Sequence, residues 1–572
     1  MVRLAHITTI LRRGAQHDTA PGRRWWPRWT RLFLPLSIAL LIILPLGVLA
    51  VELLTPNFDL WARLWETILP PMLVNTVTLM ISVGVGTVVI GAGFAWLVTA
   101  YQFPGRGLFD RALLLPLAVP AYIMGFIFMA TFDFAGPVQT ALRGMFGRGI
   151  VFPNIRSAWG VTLVMILVLY PYVYILARAA FREQAANTFE AARVMGYSRL
   201  KAFWRLVLPL ARPSLAAGAI LAMMEAMTDY GTVRFFGFPT LSEGVVRVWE
   251  GRMDRASAIE LASLLLVFAL VMIGLDRLLR GQARYYQQGG KGRRPERVPL
   301  RGWRGGLASA ACIGLLLAAF GLPLLQLIVW TIREINQPSV GAWQEVYGTY
   351  ILNSLTLAGG AAALSIGLAL IVAYGTRRSS LTGEQRLARW ITRLATLGYA
   401  MPGAVVAVGV LLVLAPLDHA INDFTTDVLG ITAPGLIFTG SIAGLLYAYA
   451  VRFMAVGFNS VESSLEKITP NMEHAARTMG ADTGRVLRRV YVPLVSSGMA
   501  AGALLVFVDV MKELPATLLL RPFGMDTLAL WTYFLAGESF WQAAAIPSLT
   551  ILVIGLIPVL LLMRVGDRDE HH

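Results

Sequence analysis

The chain has 572 residues, 56% of them hydrophobic and 14% charged, with a formal net charge of +16. Soluble proteins carry about a quarter charged residues, so this composition excludes a soluble globular domain. A bilayer core about 30 Å thick needs about 20 apolar residues per helix, and twelve such runs predict an all-α polytopic membrane protein. A single cysteine, Cys312, excludes an intramolecular disulfide.

Basic residues concentrate at the N-terminus, in a central Gly- and Arg-rich segment and in short gaps between apolar runs. The positive-inside rule accounts for them, so no nucleic-acid partner is expected. We predict a multi-pass membrane protein with both termini in the cytoplasm.

Predicted helices of the first half lie near residues 32–53, 73–100, 110–131, 158–181, 213–231 and 258–279. Those of the second half lie near 306–331, 350–374, 390–416, 435–457, 495–514 and 543–563. The predicted division is a cytoplasmic N-terminus (1–31), a first membrane domain (32–280, core 71–276), a cytoplasmic linker with little structure (281–305), a second membrane domain (306–564, core 350–563) and a cytoplasmic tail (565–572).

The halves repeat each other in sequence. Residues 190–196 and 474–480 share the core Ala-Ala-Arg-x-Met-Gly and lie 284 residues apart. Asn75-Thr76 matches Asn353-Ser354, and the segment ending at Pro120 matches the one ending at Pro402. A repeat on this scale predicts two copies of one six-helix domain in parallel orientation.

Each repeated segment has the features of a short helix on the cytoplasmic face. Glu190-Ala191-Ala192 are strong helix formers, and Gly196 and Gly480 are expected to end the helix at a tight turn. Pro209 and Pro493 are expected where the chain turns back toward the membrane. An amphipathic interfacial helix is the alternative interpretation.

These segments resemble the EAA loops of ABC importer permeases. The resemblance implies type I importer domains in the bacterial inner membrane, whose loops bind two copies of a separate ATPase. The implied coupling residues are Glu190, Ala191, Ala192, Gly196, Pro209, Glu473, His474, Ala475, Ala476, Gly480 and Pro493. His474 stands where the family has Glu, so the second contact is expected to be weaker or shifted. No Gly-x-x-x-x-Gly-Lys-Ser/Thr sequence occurs; we therefore expect no enzyme activity and no cofactor in this chain, with ATP and Mg²⁺ on the partner.

Two acidic pairs lie near the ends of membrane spans and are also 284 residues apart. Glu225 and Asp229 are spaced i, i+4, as are Asp509 and Glu513, so each pair is predicted to share a helix face. With Tyr230 and Lys512, they are candidates for a translocation path or gate. The alternatives are helix caps, or ion pairs with Lys512 and an arginine that hold the halves together.

Carboxylate oxygens suit a hard cation, so these four residues are candidates for an acidic constriction in the path of such a cation. Five tyrosines (Tyr170, Tyr172, Tyr174, Tyr447 and Tyr449) could add oxygens, although packing is the favoured interpretation. The segment 506–528, with Lys-Glu-Leu-Pro-Ala-Thr, and its first-half counterpart 229–241 resemble fused ferric-iron importer permeases. That resemblance implies delivery of iron by a periplasmic ferric-binding protein, and transient Fe(III) contacts at Glu225, Asp229, Asp509 and Glu513.

Two alternatives stay open from the sequence. The same machine could carry thiamine, a polyamine or a phosphonate, because permeases for those cargoes also have EAA loops. An ion-coupled secondary transporter would also show internal repeats and buried carboxylates.

Overall fold

The computed structural model describes residues 30–147, 153–194, 197–251, 254–281, 297–340, 343–381, 385–466 and 468–568. Within these ranges, twelve helical runs are long and apolar enough to cross a membrane. The predicted all-α polytopic architecture is therefore confirmed. The predicted N-terminal segment lies almost entirely outside the described residues, as do linker residues 282–296 and the last four residues.

Twelve α-helices form the described part of the first half. They are α1 (Thr30–Glu52), α2 (Phe58–Thr67), α3 (Leu69–Ala100), α4 (Arg106–Ala112), α5 (Ala121–Phe132), α6 (Pro137–Phe146), α7 (Ala158–Val194), α8 (Arg199–Ala202), α9 (Leu208–Thr228), α10 (Gly231–Phe235), α11 (Leu241–Gly251) and α12 (Arg255–Gly281).

The described part of the second half also contains twelve. They are α13 (Trp303–Leu316), α14 (Leu322–Asn336), α15 (Trp343–Leu381), α16 (Gln385–Ala395), α17 (Gly403–Asp423), α18 (Ile442–Leu465), α19 (Pro470–Thr478), α20 (Thr483–Val486), α21 (Val492–Met511), α22 (Pro515–Leu520), α23 (Leu528–Gly537) and α24 (Trp541–Arg568).

Each half is built on three helices that pack against one another. These are α3, α7 and α9 in the first half and α15, α18 and α21 in the second. Glycines allow the close approach: a Cβ at Gly91 of α3 would lie 2.9 Å from the Tyr170 carbonyl oxygen on α7. Small residues at such contacts are the usual means by which membrane helices pack closely.

The first helix of the chain packs largely against the other half. α1 contacts α15, α16 and α17, as well as α12 of its own half. The Tyr447 hydroxyl donates a hydrogen bond of 2.6 Å to the Leu41 carbonyl, and a Cβ at Gly409 would lie 2.6 Å from the Pro45 carbonyl oxygen. In the opposite direction, α14 and α24 of the second half pack against α5. The halves are thus interlocked.

Two predicted helices are wrong in the same way. The segments near 110–131 and 390–416 are each interrupted by a 3₁₀ turn, at Leu115–Ala118 and Leu397–Ala400. The mirrored prolines Pro120 and Pro402 then stand at the N-caps of α5 and α17. Proline disfavours helical geometry in the residue before it, so both helices restart at equivalent positions.

Pro209 and Pro493 do not stand at turns, in contrast to the prediction. Each occupies the second position of a helix, α9 or α21, directly after a π-helical turn, Phe203–Val207 or Leu487–Tyr491. Proline has no N–H for the preceding turn, and a wider turn accommodates this defect. The helical run therefore continues through both prolines.

The end of the linker has more structure than predicted. Tyr101–Gln102 (β1) and Val298–Pro299 (β2) form a short parallel pair, and the Ser309 hydroxyl donates to the Pro104 carbonyl at 2.8 Å. The start of the second half is thereby attached to the end of α3. The domain boundaries themselves stay a prediction.

Candidate translocation site

A cavity of about 150 Å³ lies between the two halves. The first half lines it with residues before and within α5, with α7 and with the end of α9. The second half contributes Tyr399, α18 and the end of α21. All six residues predicted for the path line this one cavity: Glu225, Asp229, Tyr230, Asp509, Lys512 and Glu513.

Asp229 lies beyond the end of α9 and caps the next helix. Its backbone is extended (φ −66°, ψ 135°), so α9 ends at Thr228. One carboxylate oxygen accepts from the Thr232 N–H at 2.9 Å and the Val233 N–H at 3.2 Å, and the other accepts from the Thr232 hydroxyl at 3.0 Å. The predicted helix face shared with Glu225 is therefore wrong, and the helix-cap interpretation describes Asp229.

Glu513 also lies beyond the end of its helix and caps the next helix, in the second half. α21 ends at Met511, and the Glu513 carboxylate accepts from the Ala516 N–H at 3.0 Å, the Thr517 N–H at 2.9 Å and the Thr517 hydroxyl at 2.7 Å. Arg452 on α18 adds an ion pair of 2.6 Å to a carboxylate that is 1% exposed. The pair lies within the second half and does not bridge the halves.

The other two carboxylates differ from each other. Asp509 forms an ion pair of 2.9 Å with Lys512, three residues later. Glu225 accepts no side-chain hydrogen bond and forms no ion pair within the part of the chain that the structure describes; the charges that act on it are those of Lys512, Arg452 and Asp509. Glu225 is thus the cavity carboxylate least engaged by the protein itself.

The cavity has more carboxylates than cations. Four acidic side chains face it, against Arg452 and Lys512. Among the described residues, no three His, Cys, Asp or Glu side chains lie close enough to hold one metal ion together.

Aromatic residues join the halves beside the cavity. The Tyr230 and Tyr533 hydroxyls lie 2.7 Å apart, and Phe235 packs on Tyr533 with ring centroids 5.6 Å apart. Phe126 of α5 stacks on Trp541 of α24 at 6.2 Å. These contacts hold the halves together next to the ends of α9 and α21, which the sequence predicts to face the periplasm.

A buried acidic residue lies close to this contact. Glu243 of α11 is 2% exposed and pairs with Arg234 at 3.1 Å and Arg247 at 3.5 Å. Burial raises the pKa of the Glu243 carboxyl, although Arg247 and Arg234 act in the opposite direction.

The matched asparagines perform the same task in both halves. The Asn75 amide donates to the Pro239 carbonyl at 2.9 Å, and the Asn353 amide donates to the Asp526 carbonyl at 3.0 Å. The first bond fixes the loop between α10 and α11, and the second fixes the equivalent loop between α22 and α23. The sequence displayed this match but did not reveal its purpose.

Most of the five candidate tyrosines have structural partners. Tyr170 and Tyr174 donate to the carbonyls of Leu113 and Asp110, and Tyr449 shares a hydrogen bond of 2.6 Å with Thr517. Tyr447 binds the Leu41 carbonyl, as described above. The fifth, Tyr172, lines the cavity.

Arg452 and Tyr399 are among the cavity residues that the sequence did not predict. Arg452 carried a usable signal, because a lone arginine inside an apolar span marks a pathway or a pair. Tyr399 carried none that separates it from other aromatic residues.

The structure describes the two repeated segments, 190–196 and 474–480, to different extents. Glu190, Ala191 and Ala192 continue the long helix α7 rather than forming a separate one; their side chains, and the whole of Gly196, lie outside the described part. In the second half α18 ends at Leu465, and α19 carries the equivalent residues. The side chains of Glu473 and His474 are likewise outside it.

The second segment shows the predicted turn. α19 ends at Thr478, and Gly480 has φ +82°, a conformation that favours glycine. Ala475 is exposed and Ala476 buried, and Met479 is 81% exposed. An exposed methionine beside a glycine turn presents a small apolar surface.

Comparison with known proteins places both halves in one family. Residues 87–285 and 365–569 each match the family described as binding-protein-dependent transport system inner membrane component. The Fe(3+)-transport system permease protein FbpB 2 of Haemophilus influenzae is 24% identical over 86% of this chain and 89% of its own length. The ferric transport system permease protein FbpB of Actinobacillus pleuropneumoniae is 22% identical over 86% of this chain and 71% of its own.

A second group of relatives matches a smaller part. The sulfate transport system permease protein CysT of Escherichia coli is 30% identical over 41% of this chain and 87% of its own length.

Proposed function

Because the chain belongs to the family of binding-protein-dependent transport system inner membrane components, we propose that it is the fused permease of an ATP-driven importer whose cargo is ferric iron. It is a multi-pass inner-membrane protein. The Haemophilus influenzae relative named as a ferric permease matches 86% of the chain, whereas the sulfate permease of Escherichia coli matches 41%.

The observation that carries the proposal is the charge of the cavity between the halves. Four carboxylates face it against two cations, and carboxylate oxygens are preferred ligands of hard cations. A cation with several charges would find an attractive surface here, with Glu225 as the least engaged ligand.

Sulfate is the second candidate cargo, because of the relatives named for it. An anion would need free cations, yet Arg452 and Lys512 already pair with Glu513 and Asp509. The excess of carboxylates would repel sulfate, and a phosphonate equally. Thiamine and polyamines are cations, so the cavity charge does not exclude them. We prefer ferric iron over them because relatives that match most of the chain are named as ferric permeases. A secondary transporter is disfavoured by membership in a binding-protein-dependent family.

ATP-driven import requires partners, which the family implies in general terms: an ABC ATPase and a periplasmic binding protein. In the proposed assembly, two ATPase copies bind the ends of α7 and α19, and a ferric-binding protein docks on the periplasmic side. Support comes from the mirrored sequence, the Gly480 turn and the exposed Met479.

The coupling assignment is tested with Gly480→Arg. A Cβ at Gly480 has open space around it, although the φ of +82° strains any side chain there, so the substitution should distort only this turn and obstruct the ATPase. Co-purification of the ATPase should fall, and ATP-dependent uptake with it. Gly430→Arg is the matched control, because Gly430 also has positive φ (+63°) and open space but lies in a loop predicted to be periplasmic. Equal behaviour of the two variants would contradict the assignment.

The cargo is tested in liposomes that contain the permease with its ATPase. Uptake of iron-55 delivered by the binding protein is measured with and without ATP, beside labelled sulfate, thiamine and putrescine. We expect uptake of iron in the presence of ATP, and no ATP-dependent uptake of sulfate, thiamine or putrescine. Uptake of sulfate but not of iron would contradict ferric iron as the cargo, and the assignment as an ATP-driven importer would still hold.

A further inference from the structure

We propose that Lys512 is a tethered cation that occupies the carboxylate site while the path is empty, so that only cargo of higher charge displaces it. The inference rests on the proposed cation cargo and extends it to selectivity. Of the two cations that line the cavity, Lys512 is the one whose ion pair is partly exposed.

The ammonium of Lys512 lies where a cargo cation would bind. Its Nζ is 2.9 Å from Asp509 Oδ1, and the charge of Glu225, from the other half, also acts on it. The side chains of Lys512 and Asp509 are 34% and 23% exposed, whereas Glu513, paired with Arg452, is 1% exposed. The Lys512 pair can therefore open toward the cavity, while the Arg452 pair is locked in the packing.

The repeat shows that the lysine is not part of the common framework. Glu225 matches Asp509 and Asp229 matches Glu513, each 284 residues apart, and Thr228 then stands in the place of Lys512. The Thr228 hydroxyl donates to the Glu225 carbonyl at 3.0 Å, a local helix contact. The Lys512 ammonium thus pairs with Asp509, while the charge of the mirrored carboxylate Glu225 acts on it without an ion pair.

A tethered ammonium filters cations by charge. Coulomb energy is proportional to the product of the charges, so Na⁺ or K⁺ has no advantage over an ammonium held at high effective concentration. A trivalent cation attracts each carboxylate three times as strongly and can replace the ammonium. The lysine stem is flexible enough to let Nζ withdraw. Small monovalent ions are thereby kept out of the path.

The test uses Tb³⁺, a hard trivalent cation, as the probe on the full chain in zwitterionic lipid nanodiscs. Tyr172, Tyr230 and Tyr399 line the cavity and sensitise Tb³⁺ luminescence. Lys512→Gln should bind Tb³⁺ at least tenfold more tightly than the wild type, and Glu225→Gln should bind it more weakly. Lys201→Gln, on α8 and away from the cavity, is the matched control and should not change the affinity.

A wild-type or weakened Tb³⁺ affinity in Lys512→Gln would overturn the inference and leave Lys512 as a structural partner of Asp509. Should this variant fail to fold, the wild type supplies a second measurement. Acylation of Lys512, followed by mass spectrometry, should be faster with Tb³⁺ than with an equal ionic strength of NaCl; an equal rate would overturn it. Neither measurement depends on iron uptake. A failure of the Lys512 proposal can therefore be distinguished from a failure of the proposed iron cargo.

Discussion

The two halves build the same framework around the cavity but give it different charges. Asp229 and Glu513 both cap the helix that follows, and matched asparagines fix both adjoining loops. Only the second half adds cations, Arg452 and Lys512. The comparison teaches that the mirrored caps and asparagines hold the fold in both halves, whereas the two cations that partly balance the mirrored carboxylates belong to one half alone.

The largest expected effect is on the stability of the second half. Arg452→Met would leave Glu513 buried without its cation, which costs about 3–5 kcal/mol. Thermal unfolding in detergent should show a clearly lower midpoint. Adding Glu513→Gln removes the unpaired charge and should recover part of the loss. A double variant less stable than Arg452→Met would contradict this account.

Glu225→Gln should affect transport and leave stability unchanged. Glu225 has no ion pair within the described structure, and an interaction with a charged group contributes about 1.5–3 kcal/mol. Iron uptake should therefore fall at least tenfold. Glu538→Gln, an isosteric change at an exposed position between α23 and α24, is the control. A shifted unfolding midpoint with normal uptake would assign Glu225 to the framework.

Asp229→Ala should destabilise the first half by about 1–2 kcal/mol, as expected for the loss of a helix cap. Glu513→Ala should cost more, because it also leaves Arg452 without a partner. Unfolding midpoints of the two variants measure the difference between the halves. Equal losses would mean that the arginine adds nothing to the second cap.

The smallest expected effect concerns the contact between the halves. Tyr230→Phe removes one hydrogen bond, about 1 kcal/mol, between α9–α10 and α23. Alkylation of a cysteine introduced by Thr228→Cys should become faster as the halves separate more often. Tyr449→Phe removes a similar bond within one half and should leave that rate unchanged. A faster rate in both variants would indicate general loosening.

The spans were predictable because apolar length alone decides them. The breaks at Pro120 and Pro402 were missed because the sequence is largely apolar on both sides of them, although the prolines themselves signalled an interruption. The acidic pairs were correctly singled out for the path, yet the predicted shared face was wrong: the helices end at Thr228 and Met511. Arg452 was overlooked although its charge is unusual inside a span. Its partner is 61 residues away, a distance that sequence spacing does not resolve.

The packing of α1 against α15, α16 and α17 has a consequence for biosynthesis. α1 is made first, but the surface that it covers is not complete until α17 has emerged from the ribosome. At about 5–20 residues per second, that delay is on the order of tens of seconds. During this delay α1 lies in the bilayer before α15, α16 and α17 have been synthesised. A truncated first half would therefore lack these helices, which pack against α1. The order of synthesis therefore makes the second half a condition for completing the first.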